Sequence, residues 1–158
     1  MAQEIERKFL VKEDFTPFYE EKIYIKQGYL SIVPERTVRI RITDKKAFIT
    51  IKGKASKTGI SRYEWEKEIN ITEANELFNL CEYSLIEKTR YIIPTKNNLY
   101  FEVDVFYGDN KGLVIAEIEL PSENTIFEKP SWLGKEVTGI EKYYNSMLVK
   151  NPFVNWKV

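Results

Sequence analysis

Along this chain, short runs alternate residue by residue between apolar and charged side chains, and within a run the charges mostly share one sign. Arg39 and Arg41 alternate with Val38, Ile40 and Ile42. Glu102 and Asp104 alternate with Val103 and Val105, and Glu117 and Glu119 with Ile118 and Leu120. A period of two is the signature of a strand whose two faces meet different surroundings. Runs of this kind are expected at 4–11, 23–33, 37–44, 46–52, 63–71, 85–93, 98–106 and 114–120, separated by turn residues. Eight strands with few helices predict a mainly β, α+β architecture: a closed eight-stranded antiparallel barrel with helices packed outside. Thr72 is placed to cap a helix carrying Ala74, Leu77, Phe78 and Cys81 on one face. A second helix is expected over 139–151, with Ile140, Tyr143, Tyr144 and Met147 aligned, and a weaker one over 12–21. No linker or low-complexity tract interrupts residues 1–158, which read as a single domain.

Any one charged face could be the wet side of a half-buried sheet. The set is harder to explain that way. Neighbouring carboxylates on one strand face repel, and solvent faces usually mix signs to avoid that cost. The opposite faces are apolar enough to carry helices on the outside of the barrel, which turns the charged faces into a lumen. The cations Lys8, Arg39, Arg41, Lys52, Lys88 and Arg90 could neutralise a polyanion several charges long, and arginine forks suit phosphoryl oxygens. The carboxylates would repel such a ligand unless a divalent ion lay between them. The chain has no histidine, so that ion would be held by oxygen, as Mg2+ and Mn2+ prefer. The same absence excludes histidine triads, imidazole bases and histidine metal sites.

Lys+Arg and Asp+Glu both total 24, so no surplus of positive charge points to a nucleic-acid or anionic membrane surface. The single cysteine, Cys81, forms no intramolecular disulfide and suits a reducing cytoplasm. The opening MAQEIERK has no apolar leader core, and no apolar run is long enough to span a bilayer, so a cytoplasmic protein is expected. Phe153 and Trp156 could pack against a second subunit in a homodimer, or cover the chain's own barrel.

The run EIERKFLV resembles the Glu-x-Glu-x-Lys motif of the CYTH superfamily, also called triphosphate tunnel metalloenzymes. The resemblance continues in order through TVRIRI, TIKGKASKTGISRYEWEKEI, EKTRYII, FEVDVFYGDNKGLVIAEIELPSE and WLGKEVTGIEKYYNSMLV, covering nearly the whole chain. It implies a tunnel-forming barrel that acts on a small-molecule triphosphate with Mg2+ or Mn2+. Glu4, Glu6 and Lys8 match the motif itself. Arg39, Arg41, Lys52, Lys88 and Arg90 match the family's phosphate-binding cations. Glu64, Glu66, Glu102, Asp104, Glu117 and Glu119 match its acidic positions, with Glu6, Glu117 and Glu119 foremost as metal ligands and Glu4 and Asp104 next. Tyr29, in KQGYLS, stands where some relatives carry a proton-accepting tyrosine. An ordinary phenol is too weakly acidic for that role, so Lys8 or Lys52 would have to favour its phenolate. The chain is most similar to the compact bacterial members, several of which hydrolyse inorganic tripolyphosphate. It departs from them at Glu141-Lys142, where relatives often show an acid followed by arginine. The implied activity is triphosphate hydrolysis, on inorganic triphosphate first and nucleoside or thiamine triphosphate second. The alternatives are an adenylate cyclase and a non-catalytic polyphosphate-binding module.

Overall fold

The computed structural model describes residues 3–156. Nine strands run β1 (Gln3–Val11), β2 (Glu21–Ser31), β3 (Arg36–Thr43), β4 (Lys46–Gly53), β5 (Ser61–Ile69), β6 (Glu82–Pro94), β7 (Tyr100–Phe106), β8 (Val114–Glu119) and β9 (Leu133–Glu136). The first eight close in the order β1-β5-β4-β3-β2-β6-β7-β8, and β1 pairs with both β8 and β5 to complete the ring. All pairings are antiparallel. The ninth strand, β9, was not expected. It pairs with the last part of β1 at Phe9 and Val11.

The barrel is clothed in apolar side chains on the outside. Phe9, Phe101, Val103, Ala116 and Ile118 form the outer face of β1, β7 and β8, covered by Phe15 and Trp132 from the connecting segments and Leu133 from β9. On the other side, α1 (Ile71–Phe78) lays Ala74, Leu77 and Phe78 over Ile40 and Ala47. Its cap is Asn70 rather than Thr72. Asn70 Oδ1 accepts from the Glu73 amide at 2.7 Å, and the Glu73 carboxylate accepts from the Asn70 amide at 3.4 Å, a reciprocal box that fixes the helix start. The helix stops at Phe78, so Cys81 is not one of its core positions. It lies in the following turn, where Sγ donates to the Leu77 carbonyl at 3.6 Å.

A third apolar cluster plugs one end of the barrel. Tyr29, Ile86, Phe106 and Ile115 meet Leu148 and Val149 of the C-terminal segment there. The expected helix over 139–151 is reduced to a 3-10 turn at Glu141–Tyr143 and a single α-turn, α2 (Asn145–Leu148). Tyr144 between them is extended at φ −69°, ψ 135°. The helix expected over 12–21 is only a 3-10 turn at Thr16–Phe18. Phe153 and Trp156 stack edge-to-face and pack on the chain's own barrel end. Among the described residues, no helix is long and apolar enough to cross a membrane.

Register resolves the puzzle of like charges on single strands. Lys52 on β4 lies abreast of Glu64 on β5, Arg90 on β6 abreast of Asp104 on β7, and Lys8 on β1 abreast of Glu117 on β8. Carboxylates that repel along a strand thus stand abreast of cations across it. The exceptions are Glu6 against Glu119 and Glu102 against Glu117, where acid faces acid around β8.

Candidate active site

The inward faces enclose a cavity of about 240 Å³ lined by Glu4, Glu6, Lys8, Tyr29, Arg39, Arg41, Lys52, Glu64, Glu66, Lys88, Arg90, Glu102, Glu117 and Glu119. Every site residue expected from the sequence is in that lining except Asp104. The structure brings residues from all eight barrel strands to one space.

Asp104 sits beneath the lining, fully buried. Its Oδ1 accepts from Arg90 Nε at 2.8 Å, and its Oδ2 accepts from Lys88 Nζ at 2.7 Å and Arg90 Nη2 at 2.9 Å. Both oxygens are therefore occupied by cations, and its place is that of a buried anchor for them, not of a carboxylate facing the cavity. Burial alone would raise its proton affinity, but Arg90 and Lys88 hold it below the ordinary carboxylate value. Arg90 in turn is raised well above its usual value by Asp104 and Glu102 against the opposing effect of burial. Lys88 goes the other way. Burial, joined by repulsion from Arg90 and Arg41, lowers it to about 7 although Asp104 pulls the other way.

The remaining cations are held differently. Lys52 Nζ donates to Glu4 Oε1 at 3.0 Å, lies 2.8 Å from Oε2 without an aligned hydrogen bond, and is 3.5 Å from Glu64. Arg39 donates through Nη2 to Thr50 Oγ1 at 3.1 Å, and the Thr50 hydroxyl donates to Glu66 at 2.6 Å; the buried Arg39 Nε has no partner. Among the described residues, neither Lys8 nor Arg41 has a carboxylate within ion-pair distance. Lys8 Nζ instead donates to the Tyr143 carbonyl at 3.3 Å and lies over the Tyr144 ring. Burial, followed by repulsion from Arg39 and Arg90, lowers Arg41 to about 9. The Tyr29 hydroxyl reaches the cavity, with Gln27 Nε2 at 3.5 Å. The two lysines expected to bias it are engaged elsewhere, on Glu4 and on the C-terminal turn.

Facing these cations is the acidic corner. Enclosure, then Glu117 and Glu4, push the Glu6 carboxyl well above its ordinary value. Enclosure, then Glu4, Glu64 and Glu102, raise Glu119. Burial would also raise Glu117, yet Lys8, Arg90 and a hydrogen bond from the Glu6 carboxyl take it well below. Ionising Glu6 beside Glu117 is thus disfavoured, and its carboxyl holds its proton more tightly than an ordinary carboxyl unless another cation enters. An all-oxygen set that cannot be fully ionised alone fits a hard divalent ion, whose binding would displace that proton. Among the described residues, no group of three such side chains is arranged to grip an ion unaided.

Sequence reasoning missed Thr37, Thr50, Arg62, Tyr144, Asn145 and Ser146 in the lining. Thr50 could have been found, since it alternates with Lys52 on β4. Tyr144, Asn145 and Ser146 could not, because only the folded C-terminal segment brings them to the barrel end.

The Lys88 value gives a sign for pH dependence. Between about 7 and the ordinary lysine value of 10.5 the unfolded chain binds the extra proton, so this residue's contribution to stability grows as pH rises through that window. Binding of an anion runs the opposite way. The affinity for an anionic ligand, and kcat/KM with it, is expected to fall as pH rises through about 7. Lys88→Met should be weaker at pH 6.5 and flatter above it. Parallel profiles of the two proteins cancel the ligand's own titration.

Comparison with known proteins follows the same lines. The CYTH domain model matches residues 2–148. The inorganic triphosphatase of Acetivibrio thermocellus is 48% identical over 158 residues, covering 99% of both chains. The inorganic triphosphatase of Nitrosomonas europaea is 36% identical over 149 residues, covering 92% of this chain and 95% of that one. A crystal structure of an inorganic triphosphatase superposes with a TM-score of 0.66 at 34% identity, covering 94% of this chain and 95% of the other. A putative adenylyl cyclase from Hippeastrum shares the fold at a TM-score of 0.59 and 15% identity, over 75% of this chain and 80% of that one.

Proposed function

This chain belongs to the CYTH domain family, and from that premise we propose that it hydrolyses a triphosphate, with Mg2+ or Mn2+, by attack of water on the terminal phosphorus inside the barrel. Inorganic triphosphate is the first substrate, and nucleoside or thiamine triphosphate the second. One observation carries the reading. A single cavity sets cations whose charge is disfavoured, Arg41 and Lys88, opposite carboxylates whose charge is disfavoured, Glu6 and Glu119. A metal-bridged polyanion relieves both at once; a free anion relieves only the first set, and a free cation only the second. The two inorganic triphosphatase relatives support the choice of substrate.

In this reading Arg39, Arg41, Lys88 and Arg90 bind the phosphoryl oxygens, with Lys8 and Lys52 completing the set. Glu6, Glu117 and Glu119 would hold the metal, with Glu4 beside them. The ion would neutralise charge on the phosphoryl oxygens and screen them from the acidic corner. Phosphoryl transfer requires little covalent chemistry of the protein, so positioning and charge neutralisation supply most of the acceleration. In this reading Tyr29, buried at the cavity wall, would orient the attacking water. Pyrophosphate leaves, carrying its charge onto the cations that held it.

Product analysis tests the reaction class. With inorganic triphosphate the expected products are orthophosphate and pyrophosphate, and with ATP orthophosphate and ADP. Cyclic AMP with pyrophosphate from ATP would move the protein to the cyclase class. Binding of triphosphate with no turnover under any metal would make it a polyphosphate receptor.

A further inference from the structure

Two neutral side chains, which no charge pattern singled out, join the cation walls. Gln27, fully buried on β2, accepts from Arg41 Nε at 2.9 Å through Oε1 and donates to Asn145 Oδ1 at 3.0 Å through Nε2. The same Asn145 oxygen accepts from Lys88 Nζ at 2.9 Å. The continuous chain Arg41–Gln27–Asn145–Lys88 therefore runs from β3 across β2 to β6 and includes a residue 118 positions away from Gln27 in sequence. Asn145 itself lines the cavity.

The choice of amides has a physical consequence. Lys52, Arg39 and Arg90 are held by carboxylates, which hold a cation firmly but cancel much of its field. Arg41 is fixed in direction by Gln27 with no negative charge added. Lys88 has Asp104 on one side and, on the side of the cavity, again an amide. A neutral acceptor orients the donor while leaving the positive charge to act on whatever enters.

We propose that Gln27 and Asn145 are positioning residues for polyanion binding: an amide relay that aims Arg41 and Lys88 into the cavity without adding negative charge on the side of the ligand. The inference rests on the triphosphate reading for the identity of the anion. Because Asn145 comes from α2, the binding site is complete only when the C-terminal turn is seated in the barrel end.

Asn145→Asp separates positioning with neutrality from a merely structural contact. The carboxylate keeps an acceptor of the same shape for Lys88 and Gln27, so the variant should fold with an unchanged or higher Tm. Triphosphate binding, measured by calorimetry with Mg2+ and a non-hydrolysable triphosphate analogue, should weaken by about tenfold or more, because a unit of negative charge now faces the ligand at close range. KM should rise by the same factor while kcat changes far less. Asn145→Ala, which removes the aim but adds no charge, should fall between the two proteins in affinity. Gln27→Glu repeats the test at the other amide and should weaken binding in the same direction. Wild-type affinity in the folded Asp and Glu variants would overturn the proposal, as would Asn145→Ala binding more weakly than Asn145→Asp. Failure of the wild-type protein itself to bind inorganic triphosphate would instead overturn the functional reading beneath it.

Discussion

Glu6→Gln is expected to make the protein more stable and nearly inactive. The carboxyl of Glu6 is enclosed beside Glu117 and Glu4, which together hold it well above its ordinary value of 4.5. A carboxyl with a raised folded-state value destabilises the fold progressively as pH climbs from the unfolded value through the folded one. Glutamine keeps the shape and the donor of the protonated form and cannot ionise. The gain in Tm should therefore be absent below about pH 4.5, where both proteins are protonated, and present at pH 7. Activity should move the other way. If Glu6 holds the metal as proposed, its loss would remove charge stabilisation worth several kcal/mol, which is on the order of 100-fold or more in kcat/KM. Thermal unfolding at two pH values and steady-state rates on the same preparations check both halves. A destabilised, inactive variant would mean that Glu6 supports the fold and not the chemistry.

Asp104→Asn should cost stability and affinity together. Asp104 is the only side chain that Lys88 and Arg90 both donate to among the described residues, and it is fully buried beneath them. Removing one partner from a buried charge network leaves the others uncompensated and typically costs about 3–5 kcal/mol. For a domain of this size that corresponds to a fall in Tm of roughly 10 °C. The sign is fixed by linkage: a carboxylate held below its ordinary value stabilises above that value, so the deficit should be full at pH 7 and shrink in acid. Lys88 and Arg90 would also lose their aim into the cavity, raising KM for triphosphate. Adding Lys88→Met should restore part of the lost stability, since one unpaired cation is gone, without restoring affinity. A stable Asp104→Asn with normal KM would show that the anchor is dispensable.

The barrel was legible because most of its strands alternate an apolar outer face with a charged inner one. Lys8, Arg39, Arg90, Glu102 and Glu117 declare their face by their neighbours alone. What alternation does not encode is depth and pairing. Asp104 carries the same local pattern as Glu102, yet register places it under Arg90 and closes both its oxygens, whereas Glu102 reaches the cavity. The four-residue β9, LGKE, is too short for a period to show and depends on the edge of β1 for its existence. At the C-terminus, the spacing of Ile140, Tyr143, Tyr144 and Met147 mimics a helix face. Tyr143 instead packs in the cluster at the barrel end, and Tyr144, extended in backbone, sets its ring against Lys8. Gln27 and Asn145 were invisible for a related reason. Neutral amides carry no pattern of their own, and only the closed barrel brings them within hydrogen-bond distance.

The central claim is that carboxylates and cations around one cavity act together on a metal-bound triphosphate. Its most direct test is orthophosphate release from inorganic triphosphate by the wild-type protein and by Glu117→Gln, each with Mg2+, with Mn2+ and with EDTA. The account predicts release by the wild type with either or both metals, none in EDTA, and a loss of about 100-fold or more in the variant. Equal release in EDTA, or full activity in Glu117→Gln, would contradict it.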